Sequence, residues 1–136
     1  MCIDYIAKIP IKNKIIIDGK EYYYGWKIYE KSKVYKENGK RVLHNMYFFT
    51  NDIIPINKWI KRFIHFNGIE KITTSHSTIF NKEYYEAGIH VYVNRPRHKV
   101  KYPFVIRKVI FTKNSILTTG YESSKKVVVV KRMKIL

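Results

Sequence analysis

At 136 residues, with 46% hydrophobic and 15% aromatic side chains, the chain fits a single domain with its own core, which excludes a disordered segment. Its 27 Lys and Arg against 10 Asp and Glu give a formal charge of +17, more than solubility needs, and such a field draws anions: nucleic acid, nucleotides, or an acidic protein or lipid surface. The single cysteine, Cys2, excludes an intrachain disulfide and a thiolate metal cluster, and no segment reaches the roughly 18 apolar residues of a membrane span, so a soluble cytoplasmic protein is expected.

Met1 to Ile11, ending just after Pro10, reads as a short edge strand. Ile15, Ile16 and Ile17 then run into Asp18-Gly19, a hairpin turn dipeptide, and Glu21 to Glu30 returns as a tyrosine-rich strand. In that strand Tyr22, Tyr24, Trp26 and Ile28 share one face, and Tyr23, Gly25, Lys27 and Tyr29 the other, with Gly25 leaving room for a close approach. Asn38-Gly39 marks the next turn and Arg41 to Phe49 a third strand.

From Ile56 to Phe66 the period changes. Ile56, Trp59, Ile60 and Phe63 fall at i, i+3, i+4 and i+7, while Lys58, Lys61, Arg62 and His65 form a basic face. The spacing predicts the one main helix, with Asn51 or Asp52 near its start, Pro55 early in it and Asn67-Gly68 at its end. Lys71 to Phe80 is a polar loop or short strand.

Tyr85 to Arg95 combines a turn with a clean alternation. Read as a strand, it sends Ile89, Val91 and Val93 to a core face and His90, Tyr92 and Asn94 to a site-like face, with Arg95 at the exit that Pro96 forces. A basic loop from Arg95 to Lys101 precedes the strand Val105 to Thr112, where Arg107 interrupts the apolar row Val105, Val109 and Phe111. A charge there must be paired, snorkel outward or meet a ligand. Lys125 to Leu136 closes the chain, its four valines predicting a strand buried on both faces, with Arg132 and Lys134 on the side of Val128 and Val130. The fold class is therefore α+β, a mostly antiparallel sheet with one main amphipathic helix in a single domain, 1–136.

Catalysis finds little to use. His76-Ser77-Thr78 matches half of a two-histidine phosphodiesterase motif, but none of His44, His65, His90 or His98 supplies the other half. Glycine-rich phosphate loops and metal-ligand spacings are absent, so no cofactor or metal is called for. Nucleic-acid binding is the alternative: the charge supplies a phosphate term, and 12 tyrosines with 2 tryptophans offer stacking surfaces, although no recognised module is present. An AT-rich coding sequence would also enrich Lys, Ile, Tyr and Asn, an alternative source of the lysine that does not explain where the arginines fall. Capture of a small anionic nucleotide uses the same charges with enclosure. The candidates are Trp26 and Lys27 beside Gly25, the row His90, Tyr92 and Asn94, and the arginines Arg95 and Arg107, whose forked guanidinium suits pyrophosphate.

Three features in order carry a resemblance: Tyr-Gly-Trp-Lys at Tyr24 to Lys27, Tyr-x-x-Gly-Ile-His-Val-Tyr at Tyr85 to Tyr92, and Val-Val-Val-Val-Lys-Arg-Met-Lys-Ile at Val127 to Ile135. Together they resemble the phage Thoeris anti-defence sponge proteins of the first type. The resemblance implies a non-enzymatic phage protein of the infected bacterial cytoplasm that sequesters a cyclic ADP-ribose signal without cleaving it. It also implies homo-oligomers with ligand pockets between subunits and, in higher assemblies, sites for cyclic di- or trinucleotides of CBASS-type immunity. Gly88 and His90 match the central motif and Arg132 the terminal basic run, whereas Ile89 stands where the family usually has phenylalanine. Glu122, in the loop before the last strand, is the candidate ribose acceptor.

Overall fold

The computed structural model describes residues 3–37, 40–45, 54–62, 71–75, 82–97, 101 and 103–136. They form strands β1 (Tyr5–Ile6), β2 (Lys14–Ile17), β3 (Lys20–Glu37), β4 (Lys40–Asn45), β5 (Trp59–Lys61), β6 (Lys71–Thr73), β7 (Tyr84–Glu86), β8 (Ile89–Tyr92), β9 (Phe104–Phe111), β10 (Ile116–Glu122), β11 (Lys125–Val130) and β12 (Arg132–Ile135), with one 3-10 turn at Lys113–Ser115. All the pairings are antiparallel. Among the described residues no helix is long and apolar enough to cross a membrane.

The spine is β3, whose 18 residues are rich in tyrosine and β-branched or aromatic neighbours that favour the pleated backbone. Along one edge it meets β2, then β8 at Trp26, then β4; along the other it pairs with β9 from Tyr23 to Glu30. The expected hairpin is present, with Asp18 (φ 51°) and Gly19 (φ 78°) both in the left-handed region that a tight two-residue turn requires. The Asn38-Gly39 turn lies outside the described residues, but Glu37 faces Lys40 across it.

The main sheet runs β1-β10-β11-β8-β3-β9-β12-β5. Strands β11 and β12 are four places apart in this order yet joined by the single residue Lys131. Four strand spacings come to about 19 Å in a flat sheet, whereas a step from residue 130 to 132 spans at most about 7 Å. The sheet must therefore curl back on itself, and the concave side is filled by Tyr29, Val91, Val109, Phe111, Val128, Val130, Met133 and Ile135. Across this core the Tyr29 hydroxyl donates to Met133 Sδ at 3.8 Å. The four valines are 0% exposed, as the run predicts, and full burial of each is worth roughly 1.5–3 kcal/mol over exposure. A second cluster, Ile3, Tyr85, Tyr92, Val127 and Val129, lies where the N-terminal segment and the β6–β7 hairpin cover the outer face.

Several expectations are corrected. The helix over Ile56 to Phe66 does not form in its described part: Trp59–Lys61 is instead the edge strand β5, paired with Arg132 to Lys134. Asn57 has φ 59°, a conformation that no right-handed helix accommodates, and Trp and Ile gain more from completing the edge of β12. The fold is accordingly a mostly antiparallel sheet, without the amphipathic helix; residues 63–70 and the proposed start at Asn51 or Asp52 lie outside the described set. The stretch from Tyr85 to Arg95 is two strands, broken at Ala87 and Gly88, although Ile89, Val91 and Val93 do face the inner core. The bend at Lys131 also reverses the alternation, so Met133 and Ile135, and not Arg132 and Lys134, join Val128 and Val130.

Candidate functional site

The site is positioned by a close crossing of β3 and β8, where Trp26 stands opposite Tyr92. A Cβ on Gly25 would fall 2.5 Å from Val91 Cγ1 and 2.6 Å from the Tyr92 carbonyl oxygen, so the room expected at Gly25 is filled by β8 itself. Gly88 is likewise a packing residue: its Cβ would lie 2.7 Å from Val129 Cγ1 and 2.8 Å from the Val130 carbonyl oxygen.

Around this crossing lie two hydrogen-bonded pairs, Lys27 with the His90 main chain and Tyr92 with Glu122, coupled through the charges of Lys27 and Glu122. Lys27 Nζ donates to the His90 carbonyl at 3.2 Å, and burial pulls its pKa down to about 8, an effect that the Glu122 carboxylate partly offsets. His90 Nε2 lies 3.1 Å from the Tyr85 hydroxyl, whose oxygen accepts the Ile3 N–H at 3.0 Å. Which of the two donates in this contact is set by the imidazole tautomer. Burial, reinforced by the Lys27 charge, lowers the His90 pKa to about 4. The Tyr92 hydroxyl donates to Glu122 Oε1 at 3.3 Å, while Glu122 Oε2 is buried without a partner. Glu122 ends β10 at a tight turn whose next residue, Ser123, has φ 54°.

Aromatic rings and cations adjoin this group. The Trp26 ring has Arg95 Cζ 5.1 Å and Lys108 Nζ 5.2 Å from its centroid, and Lys125 Nζ is 5.4 Å from that of Tyr92. Thus four expected residues come together, and Trp26 and Arg95 stand at their rim. Asn94 is exposed. Arg107 is committed elsewhere, donating through Nη2 to the main-chain oxygen of Leu136 at 2.8 Å, which resolves its place in an apolar row without a ligand. Arg132 sits at the far side of the sheet, its Cζ 5.2 Å from the Trp59 ring.

Tyr85, Lys108 and Lys125 complete the neighbourhood and were not singled out as site residues from the sequence. Lys108 was readable, because the alternation that turns Arg107 inward turns Lys108 outward; the contact between Tyr85 and His90 joins two strands across the bend at Ala87 and Gly88 and had no signal. A groove of about 380 Å³ is lined by Tyr85 together with Ile6, Tyr84, Leu117 and Lys131. Among the described residues no group of three His, Cys, Asp or Glu could hold a metal ion. No protein-family model, curated protein or solved structure matches the chain.

Proposed function

We propose that the protein captures small anionic nucleotides by stoichiometric binding without turning them over, cyclic ADP-ribose-type signals being the class to which the sequence resemblance points. The observation that carries this reading is the buried, unpartnered Oε2 of Glu122 within the group formed with Tyr92, Lys27 and His90. A buried carboxylate oxygen without a donor costs about 1–3 kcal/mol or more, and a sugar hydroxyl is a donor that relieves it once the Glu122 side chain turns outward to meet it. Trp26 offers a base a flat partner, and Arg95, Lys108 and Lys125 supply the phosphate charge that Arg107 does not. His90, its pKa lowered by burial to about 4, is a weak general base at neutral pH.

A sponge competing with a receptor needs about nanomolar affinity, near −12 kcal/mol, which asks for several desolvated contacts together. Isothermal titration with cyclic ADP-ribose isomers and cyclic di- and trinucleotides tests the assignment. Glu122→Gln is expected to weaken the best ligand at least roughly ten-fold, as loss of a hydrogen bond to a charged group should, with the thermal midpoint retained. Unchanged affinity in both Glu122→Gln and Tyr92→Phe would remove the site.

A further inference from the structure

The outer face of the sheet carries a second assembly of side chains, most of which take no part in the nucleotide site. Residues directly opposite one another in a sheet share a face. Trp59 of β5 stands opposite Lys134 of β12, Lys134 opposite Ile110 of β9, and Ile110 opposite Tyr24 of β3. That row is four strands wide, about 14 Å at the usual spacing. On the same face, two positions along in one direction, Lys61 faces Arg132, and two positions along in the other direction Lys108 lies opposite Trp26. Tyr22, two residues before Tyr24, brings its ring to 5.9 Å from that of Trp59.

Four cations, Lys61, Lys108, Arg132 and Lys134, are thus interleaved with Tyr22, Tyr24 and Trp59. Arg132 Cζ lies 5.2 Å from the Trp59 ring and Lys108 Nζ 4.6 Å from that of Tyr24. The ion pairs among the described residues are Lys14 with Glu21 and Arg62 with Glu86, and neither uses any of the four. Like charges gathered without acidic partners repel one another, and an anion relieves them. Trp59, a large ring at an edge strand, remains 38% exposed. Ile110, in the middle of the row, is buried at 2% exposure among these side chains, so the face offers rings and cations several strands wide and not a cavity, which suits a polymer with repeating charges rather than an enclosed small molecule.

We infer that this face binds single-stranded nucleic acid, with phosphates tracking Lys61, Lys108, Arg132 and Lys134 and bases stacking on Trp59 and the neighbouring tyrosines. Unpaired bases offer π-faces that a duplex keeps inside its own stack, so single strands are favoured over double. RNA and DNA share this chemistry. Lys108 is shared with the phosphate charge of the proposed nucleotide site, whereas Trp59 and Arg132, on which the test rests, take no part in that site, so the two readings are tested separately.

Fluorescence anisotropy of the whole chain with labelled oligo-dT and oligo-rU of about 12 nucleotides, and with a duplex of equal length, over a salt series, tests it. Trp59→Ala is expected to weaken single-strand binding roughly ten-fold, with Trp59→Phe restoring most of the loss. Arg132→Ala is expected to reduce the logarithmic salt slope by about 0.7, while Lys82→Ala, an exposed cation off this face, leaves it unchanged. The ratio of dT to rU affinities says which strand is the ligand. Duplex bound as tightly as single strands, full affinity in a folded Trp59→Ala protein, or equal slope changes in Arg132→Ala and Lys82→Ala would each overturn the inference.

Discussion

At the crossing of β3 and β8 a single hydrogen atom decides whether the two backbones can meet, because a methyl group at Gly25 would strike Val91 Cγ1 and the Tyr92 carbonyl. Gly25→Ala is therefore expected to destabilise by about 1–3 kcal/mol, the usual cost of overpacking, and a urea titration reads it. Lys27 sets a pH dependence whose sign is fixed by its depressed pKa. Between about 8 and 10.5 the unfolded chain holds a proton that the folded chain has released, so stability rises with pH across that window, by up to about 3 kcal/mol. Lys27→Met is expected to flatten that rise, read as unfolding free energy across pH 8 to 10.5. His90 has the same sign lower down: its stabilising contribution is present above 6.5 and is lost as pH falls toward 4, which His90→Gln should abolish. Above pH 10 buried Tyr29, its pKa pushed up by desolvation, acts in the opposite direction.

Strands with strict alternation were legible in the sequence, as were turns with a left-handed requirement. The hairpin at Asp18-Gly19 and the four buried valines follow directly from residue type. The segment from Ile56 failed because its apolar residues fit a helix as well as a strand over so short a span, and the deciding partner, β12, is more than 70 residues away in sequence. Asn57→Ala discriminates between the two. Alanine in the left-handed conformation costs roughly 1–2 kcal/mol, whereas in a helix it would be mildly stabilising, so loss of stability on thermal or urea unfolding supports the edge strand. The candidate site was half legible for a related reason. Alternation placed His90 and Tyr92 on one face, but it could not show that Lys131 interrupts the last strand, that Leu136 takes up Arg107, or that Glu122 is carried to Tyr92 by the turn into β11.

On the scale of the whole molecule, a formal charge of +17 on a curled sheet leaves many cations without acidic partners, and their mutual repulsion opposes folding. Moderate salt is expected to raise the thermal midpoint by screening that repulsion, and a bound polyanion to raise it further by mass action. In the two proposed readings the same field acts at different places: a buried carboxylate and hydroxyl group at the β3 and β8 crossing, and an aromatic and cationic face on β5, β12, β9 and β3. The central claim, capture without chemistry, is tested most directly by loading the protein with cyclic ADP-ribose isomers and cyclic oligonucleotides, removing free ligand, denaturing by heat and identifying by mass spectrometry what is released. The account predicts one compound returned intact at a fixed ratio to the chain. Cleaved product, or no retained compound at all, would contradict it.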